Sequence, residues 1–185
     1  MQIKSTQLFV IFILVAIVQV SIPVKMIYQR ESVLKYGTVY KFKTQPIDPA
    51  DPFRGRYVQL HFDANIYKTQ ETNWKNDEPI YVSFIKDGNG FAQIEDVTKE
   101  APNNETYVLA KVTSYVKWRN ELHINYGIER FYMKETKAKA AEIKYIESES
   151  DSISHAVYAT VYVKAGEAVL DNVFIDDIPI GDVVE

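Results

Sequence analysis

Residues 107–118, Tyr107-Val-Leu-Ala-Lys-Val-Thr-Ser-Tyr-Val-Lys-Trp118, decide the fold class. Val108, Ala110 and Val112 recur every second position and share one face, while Lys111 and Thr113 fall on the other. A helix would need a repeat near 3.6. Arg119-Asn-Glu121 reads as a turn, and Leu122, Ile124 and Tyr126 then resume the alternation.

The same period extends outward. Thr38 to Lys43 reads as a strand, as does Arg56 to Asp63, where Val58, Leu60 and Phe62 share a face. Ile80 to Ile85 and Phe91 to Val97 flank Lys86-Asp-Gly-Asn-Gly90, a hairpin turn by its glycines. His155 to Lys164 points Val157, Ala159, Val161 and Val163 inward, turns at Ala165-Gly-Glu167 and returns over Ala168 to Ile175. A polar connection, or a helical turn, is expected at Asn65–Pro79, a loop at Ala101–Asn104, and a short, loop-like acidic tail at Asp176–Glu185. One segment breaks the pattern. Lys134 to Glu149 is rich in Lys, Ala and Glu without Gly or Pro, and is expected to be helical with Ala138, Ala141 and Tyr145 on one side. The expectation is a mainly β (α+β) chain: an antiparallel twisted sheet or open barrel with one inserted helix.

A different element precedes it. Leu8 to Val18 is unbroken apolar sequence, and the apolar character runs on to Val24. Residues 8–24 would span about 25 Å as a helix, against about 30 Å of hydrocarbon, and Met26, Ile27 and Tyr28 extend the run. A cleaved export signal needs small residues before the cut, whereas the candidates here are Ala16-Ile-Val18 and Val20-Ser-Ile22. The reading is an uncleaved signal-anchor over residues 1–28, in contact with the lipid bilayer through residues 8–24, and a β-rich domain over 29–185. The body is expected outside the cytoplasm, periplasmic or at the cell surface, because short N-terminal tails with long polar bodies behave as signal-anchors.

The chain has 185 residues and no cysteine, which removes disulfides, thiolate metal sites and cysteine nucleophiles. After residue 27 it carries 19 basic and 25 acidic side chains, a net −6. Such a body is poorly suited to a phosphate backbone, so no nucleic acid is expected as a partner.

No catalytic, cofactor or metal constellation stands out. His61, His123 and His155 lack metal-ligand spacing. Asp48, Asp51 and Asp63 could gather round a hard cation, but Ile47-Asp-Pro49 and Ala50-Asp-Pro52 read more simply as a stiff corner with its aspartates on backbone N–H groups. A serine protease of the signal-peptidase kind needs a serine soon after the anchor; Ser21 lies inside the apolar run and Ser32 has no supporting signature. Asn104-Glu-Thr106 matches a glycosylation acceptor.

Two stretches are recognisable together. Pro46-Ile-Asp-Pro-Ala-Asp-Pro-Phe-Arg-Gly-Arg-Tyr-Val-Gln-Leu-His-Phe62 resembles the signature of the bacterial GDYXXLXY domain family, and Tyr126-Gly-Ile-Glu-Arg-Phe-Tyr-Met-Lys-Glu135 resembles its second hallmark. Gly55, Tyr57 and Leu60 fit the first motif; Arg56 stands where the family has Asp, and Phe62 where it has Tyr. The resemblance implies a small membrane-anchored protein that accompanies polytopic membrane proteins, with no reaction or cofactor attached.

The residues singled out are Asp48, Asp51, Arg54, Gly55, Tyr57, Leu60, Gly127, Glu129, Arg130 and Glu135. They read as a structural staple or partner site. Arg54 is close enough in sequence to pair with Asp48 or Asp51. Glu129 and Arg130 point to opposite faces if their strand continues, which leaves one of them for the Asp-Pro corner. The expected function is a non-catalytic partner-binding subunit of a bacterial membrane or envelope complex, with a polytopic membrane protein as partner. The alternatives are an envelope enzyme acting on a polymer or peptide, and a small-ligand or ion-binding module.

Overall fold

The computed structural model describes residues 5–44, 57–132, 143 and 156–183. Helix α1 (Ser5–Tyr36) is followed by strands β1 (Thr38–Lys43), β2 (Tyr57–Gln59), β3 (Ile66–Lys68), β4 (Pro79–Lys86), β5 (Ala92–Thr98), β6 (Tyr107–Val116), β7 (Glu121–Asn125), β8 (Arg130–Tyr132), β9 (Val157–Lys164), β10 (Glu167–Ile175) and β11 (Ile178–Pro179). A 3-10 turn, Asp63–Asn65, precedes β3, and a helical turn, Ile180–Val183, follows β11.

The strands form ladders ordered β1-β9-β10-β11, β2-β8 and β3-β7-β6-β4-β5, and every neighbouring pair is antiparallel. Two seams bring the larger ladders together. At one, Lys41 bridges Phe91, and the Lys41 N–H donates to the Gly90 carbonyl at 3.3 Å. At the other, the β9–β10 turn docks on β6: Leu109 N–H donates to Gly166 O at 2.8 Å and Gly166 N–H to Tyr107 O at 3.0 Å. The result is a nearly closed antiparallel sheet, which leaves few strand edges bare.

Alternation built this core. Val108, Ala110 and Val112 of β6 are buried, as are Val157, Ala159, Val161 and Val163 of β9. Val58, Leu60 and Phe62 are buried too, although only Tyr57–Gln59 belongs to a strand. The reason is a change of partner. β2 pairs with β8, and then Phe62 crosses over to bridge Thr44. The inward period survives while the ladder does not.

Three further differences from the sequence expectation appear. The polar connection Asn65–Pro79 contains β3, paired with β7. The tail is not all loop, because β11 pairs with β10 and Ile180 is fully buried. Asp176 and Asp177, at φ 51° and 64°, make the tight turn between those strands. Such a turn usually announces itself with Asn-Gly, and aspartate enters the left-handed region less readily. The turn is held from outside: the Ala156 N–H donates to Asp176 Oδ1 at 2.9 Å, and the Tyr158 hydroxyl to Asp177 Oδ1 at 2.6 Å. Of the expected helix Lys134–Glu149, only Ile143 is among the described residues, and it is helical.

Helix α1 does not stop where the apolar run stops. Its 32 residues, about 48 Å of helix, carry it past residue 28 and into the sheet. It is long and apolar enough to cross a membrane. Within it only Val33 is buried, while Leu8, Phe9, Phe12 and Ile17 are exposed. At Gly37, where the helix ends, a Cβ would sit 2.4 Å from the helix's own Val33 carbonyl oxygen and 3.2 Å from the Val163 carbonyl oxygen of β9. Only glycine fits there without backbone movement.

Two predictions follow from this packing. Gly37→Ala should cost about 2 kcal/mol, as overpacking does, and lower the Tm of the detergent-solubilised chain by about 4–8 °C. An unchanged melting curve would contradict the close approach. The second concerns alkaline pH. Burial, the hydrogen bond to Asp177 and that carboxylate's charge push the Tyr158 hydroxyl up to about 12. An unfolded tyrosine ionises near pH 10. The stabilisation is therefore complete below pH 10 and is lost as pH rises through 12. Tyr158→Phe should lose less stability between pH 10 and 12 than the parent chain, measured by urea unfolding at a series of pH values.

Candidate functional site

The two recognisable stretches meet as neighbouring strands. β2 and β8 pair Tyr57 with Tyr132, Val58 with Phe131 and Gln59 with Arg130. One residue further on, the Leu60 N–H donates to the Glu129 carbonyl at 2.8 Å. Leu60 is fully buried and packs into the core.

Gly127 supplies the bend between β7 and β8. Its φ is +76°, and Asn125 Oδ1 accepts its N–H at 2.8 Å. The bend returns the Glu129 carboxylate to the backbone it came from. Glu129 Oε1 accepts from the Tyr126 N–H at 2.7 Å and from Asn65 Nδ2 at 3.2 Å. Asn65 is the hub of the arrangement. Its Oδ1 accepts from the Phe62 N–H at 2.7 Å, and its Nδ2 also donates to the Ile124 carbonyl at 2.8 Å. The Tyr126 hydroxyl donates to the Ala64 carbonyl. Burial, and then the Glu129 charge, hold that hydroxyl's pKa well above the ordinary tyrosine range. The bonds tie the 3-10 turn after the first motif to the bend that opens the second.

Beneath the polar knot lies an aromatic cluster. Phe42 packs edge-on against Phe62 at 5.3 Å, Phe84 at 5.1 Å and Tyr126 at 6.0 Å between ring centroids. Phe62, in the position of the family's tyrosine, is buried with its ring inside this cluster.

Arg130 faces the other way. Its guanidinium lies 5.2 Å from the centre of the Tyr57 ring, and Tyr57 lies 5.5 Å from Tyr132. Glu129 and Arg130 thus serve different partners. A polar cleft of about 740 Å³ opens here, lined by Gln59, Asn125, Glu129 and Arg130, and reaching Arg30 of α1 and Asp171 of β10.

A family model described as GDYXXLXY protein matches residues 19–173. The chain belongs to the GDYXXLXY family. No curated protein and no solved structure matches it. The family match begins inside α1 and ends inside β10, so it takes in both walls of the cleft.

Of the residues singled out in this GDYXXLXY protein, Tyr57, Leu60, Gly127, Glu129 and Arg130 converge on the β2–β8 ladder. Asp48, Asp51, Arg54, Gly55 and Glu135 lie outside the described residues, as do Arg56 and the Asp-Pro corner. His61 is exposed, and His123 stands 4.0 Å from Glu121. Among the described residues, no three His, Asp or Glu side chains gather as a metal site. Sequence reading missed Asn65, Arg30 and Asp171. Asn65 bonds to Ile124 and Glu129, 59 and 64 positions away, and no local spacing announces such a pairing.

Asn65→Ala should unpair the Phe62 N–H and the Ile124 carbonyl together. The expected loss is about 2–3 kcal/mol, against about 1 kcal/mol for Glu129→Gln, which keeps an acceptor. Urea unfolding of the full chain in detergent would rank the two, and equal or negligible losses would remove the knot from the account.

Proposed function

We propose that the chain is a single-pass bacterial membrane protein whose β domain, held outside the cytoplasm, is a non-catalytic partner-binding subunit of a membrane or envelope complex. Protein–protein contact with a polytopic membrane protein is its mode of action. One observation carries this reading. α1 passes from its apolar run into the sheet as one helix, docked through Gly37, so the domain is fastened to its anchor. A domain fixed in that way is positioned to meet the exposed parts of a neighbouring membrane protein.

The knot supports the non-catalytic half of the reading. The motif carboxylate of Glu129 accepts hydrogen bonds from Tyr126 and Asn65. Arg130 stacks on Tyr57. Acid and base are each engaged in holding strands. The cleft favours a second reading, a small-ligand module, because its polar groups converge on one space.

Crosslinking the intact protein in its own membrane, followed by affinity purification, should recover one polytopic protein in constant ratio. Gly37→Ala should weaken that recovery while leaving the chain resistant to carbonate extraction. Recovery of the protein alone at native expression, in several detergents, would end the partner-binding reading. A reporter fused after Glu185 reads the side of the membrane, and a cytoplasmic signal would overturn the assigned orientation.

A further inference from the structure

The cleft beside α1 contains charged groups that, among the described residues, enter no ion pair. Among the described residues, Arg30, Glu167 and Asp171 enter no ion pair, and Asp171 only accepts from the Thr160 hydroxyl at 3.4 Å. The Arg130 guanidinium stacks on Tyr57 and makes no ion pair either. All four line the same cleft. Two guanidinium groups and two carboxylates therefore share one cleft without forming an ion pair, and a third carboxylate on its wall, Glu129, is engaged by the Tyr126 N–H and Asn65.

The height of this cleft above a bilayer follows from the helix. Residues 8–27 make a 20-residue stretch, about 30 Å long, which matches the hydrocarbon core. Arg30 is three residues further along α1, about 4.5 Å beyond that edge. That is the depth of phospholipid phosphates, since headgroup layers add about 5–8 Å on each side. The cleft runs from Arg30 to β6, the bend at residues 125–129, β8 and β10, so Arg30 marks the part of it nearest the apolar run.

We infer that this cleft receives the headgroup of a zwitterionic phospholipid, a phosphate ester carrying a primary ammonium group. Arginine forks suit phosphate oxygens, and Arg30 and Arg130 present two of them. Glu167 and Asp171 are acceptors for the ammonium N–H donors. A phosphoethanolamine headgroup answers both sets. A choline headgroup has no N–H to donate, and a glycerol headgroup has no cation. The cleft, at about 740 Å³, admits a headgroup with its waters. The inference rests on α1 lying in a membrane, and it holds whichever side the domain occupies.

The test uses the full chain in nanodiscs containing equal amounts of phosphatidylethanolamine, phosphatidylcholine and phosphatidylglycerol, with bound lipids read by native mass spectrometry. Phosphatidylethanolamine should be retained about tenfold over the other two, the worth of one charge-assisted hydrogen bond. Asp171→Asn with Glu167→Gln should reduce it to the level of phosphatidylcholine. Arg30→Gln should lower retention of all three lipids. These side chains make no ion pairs, so melting temperatures should match the parent, and Glu95→Gln, an exposed acid outside the cleft, should change nothing. Equal retention of the three lipids, preference for phosphatidylglycerol, or variants indistinguishable from the parent would each overturn the inference. Full displacement of the lipid by soluble phosphoethanolamine would show that the ligand is a free phosphate ester and overturn the lipid assignment. Occupation of the cleft by a co-purified protein segment would also overturn it. Carbonate extraction separates the two failures. A chain released by carbonate defeats the membrane reading, whereas a chain that stays inserted but shows no headgroup preference defeats this inference alone.

Discussion

The carboxylate of Glu129 and the carboxamide of Asn65 tie the turn that follows β2 to the bend that precedes β8, where the β2–β8 and β3–β7 ladders stop. β2 and β8 form a ladder of only three residue pairs, too short to be stable unaided. The 3-10 turn at Asp63–Asn65 leaves backbone groups that a strand would have satisfied. Asn65 satisfies two of them, and Glu129 satisfies a third at Tyr126. A buried backbone donor left unpaired costs about 1–3 kcal/mol. Without these side chains, the short ladder and the turn would each carry such a cost. Side-chain hydrogen bonds therefore close the sheet where backbone pairing runs out.

That constraint explains which parts were readable from sequence. Long strands with one wet face declare themselves by period, and β1, β4, β5, β6, β9 and β10 lie close to their expected positions. The turn at Lys86–Gly90 declared itself by its glycines, and Asp87 Oδ1 does accept from the Asn89 and Phe91 N–H groups. β3, β8 and β11 have two or three residues each, too few for a period to register. Their existence depends on a partner strand supplied from elsewhere in the chain. The turn at Asp176–Asp177 was illegible for a related reason. Its left-handed aspartates are favoured by Ala156 and Tyr158, which lie about 20 residues earlier.

The candidate site divides along the same line. The motifs identified Tyr57, Leu60, Gly127, Glu129 and Arg130 as belonging together, and they do share one ladder and one bend. The motifs did not indicate that Glu129 would turn inward to Asn65 while Arg130 lay across Tyr57. Nor did they point to α1. Arg30 reads as an ordinary charge after an apolar run, and only the docking of the helix on β9 and β10 brings it to the motif.

That docking has a geometric consequence. A flexible linker between the apolar run and the domain would let the domain take any distance from that run and any rotation about the helix axis. Here no linker intervenes between Ile27 and Gly37, because the nine positions from Tyr28 to Tyr36 are all helical. Each helical residue contributes about 1.5 Å of rise and about 100° of rotation. The number of residues between the end of the apolar run and Gly37 therefore sets both the distance of the cleft from that run and the direction it faces. A single insertion would turn the cleft away from its former neighbours while leaving its chemistry intact. Gly37 completes the constraint: its missing side chain lets the helix end rest on Val163, and the rotation set in the helix is passed on to the sheet.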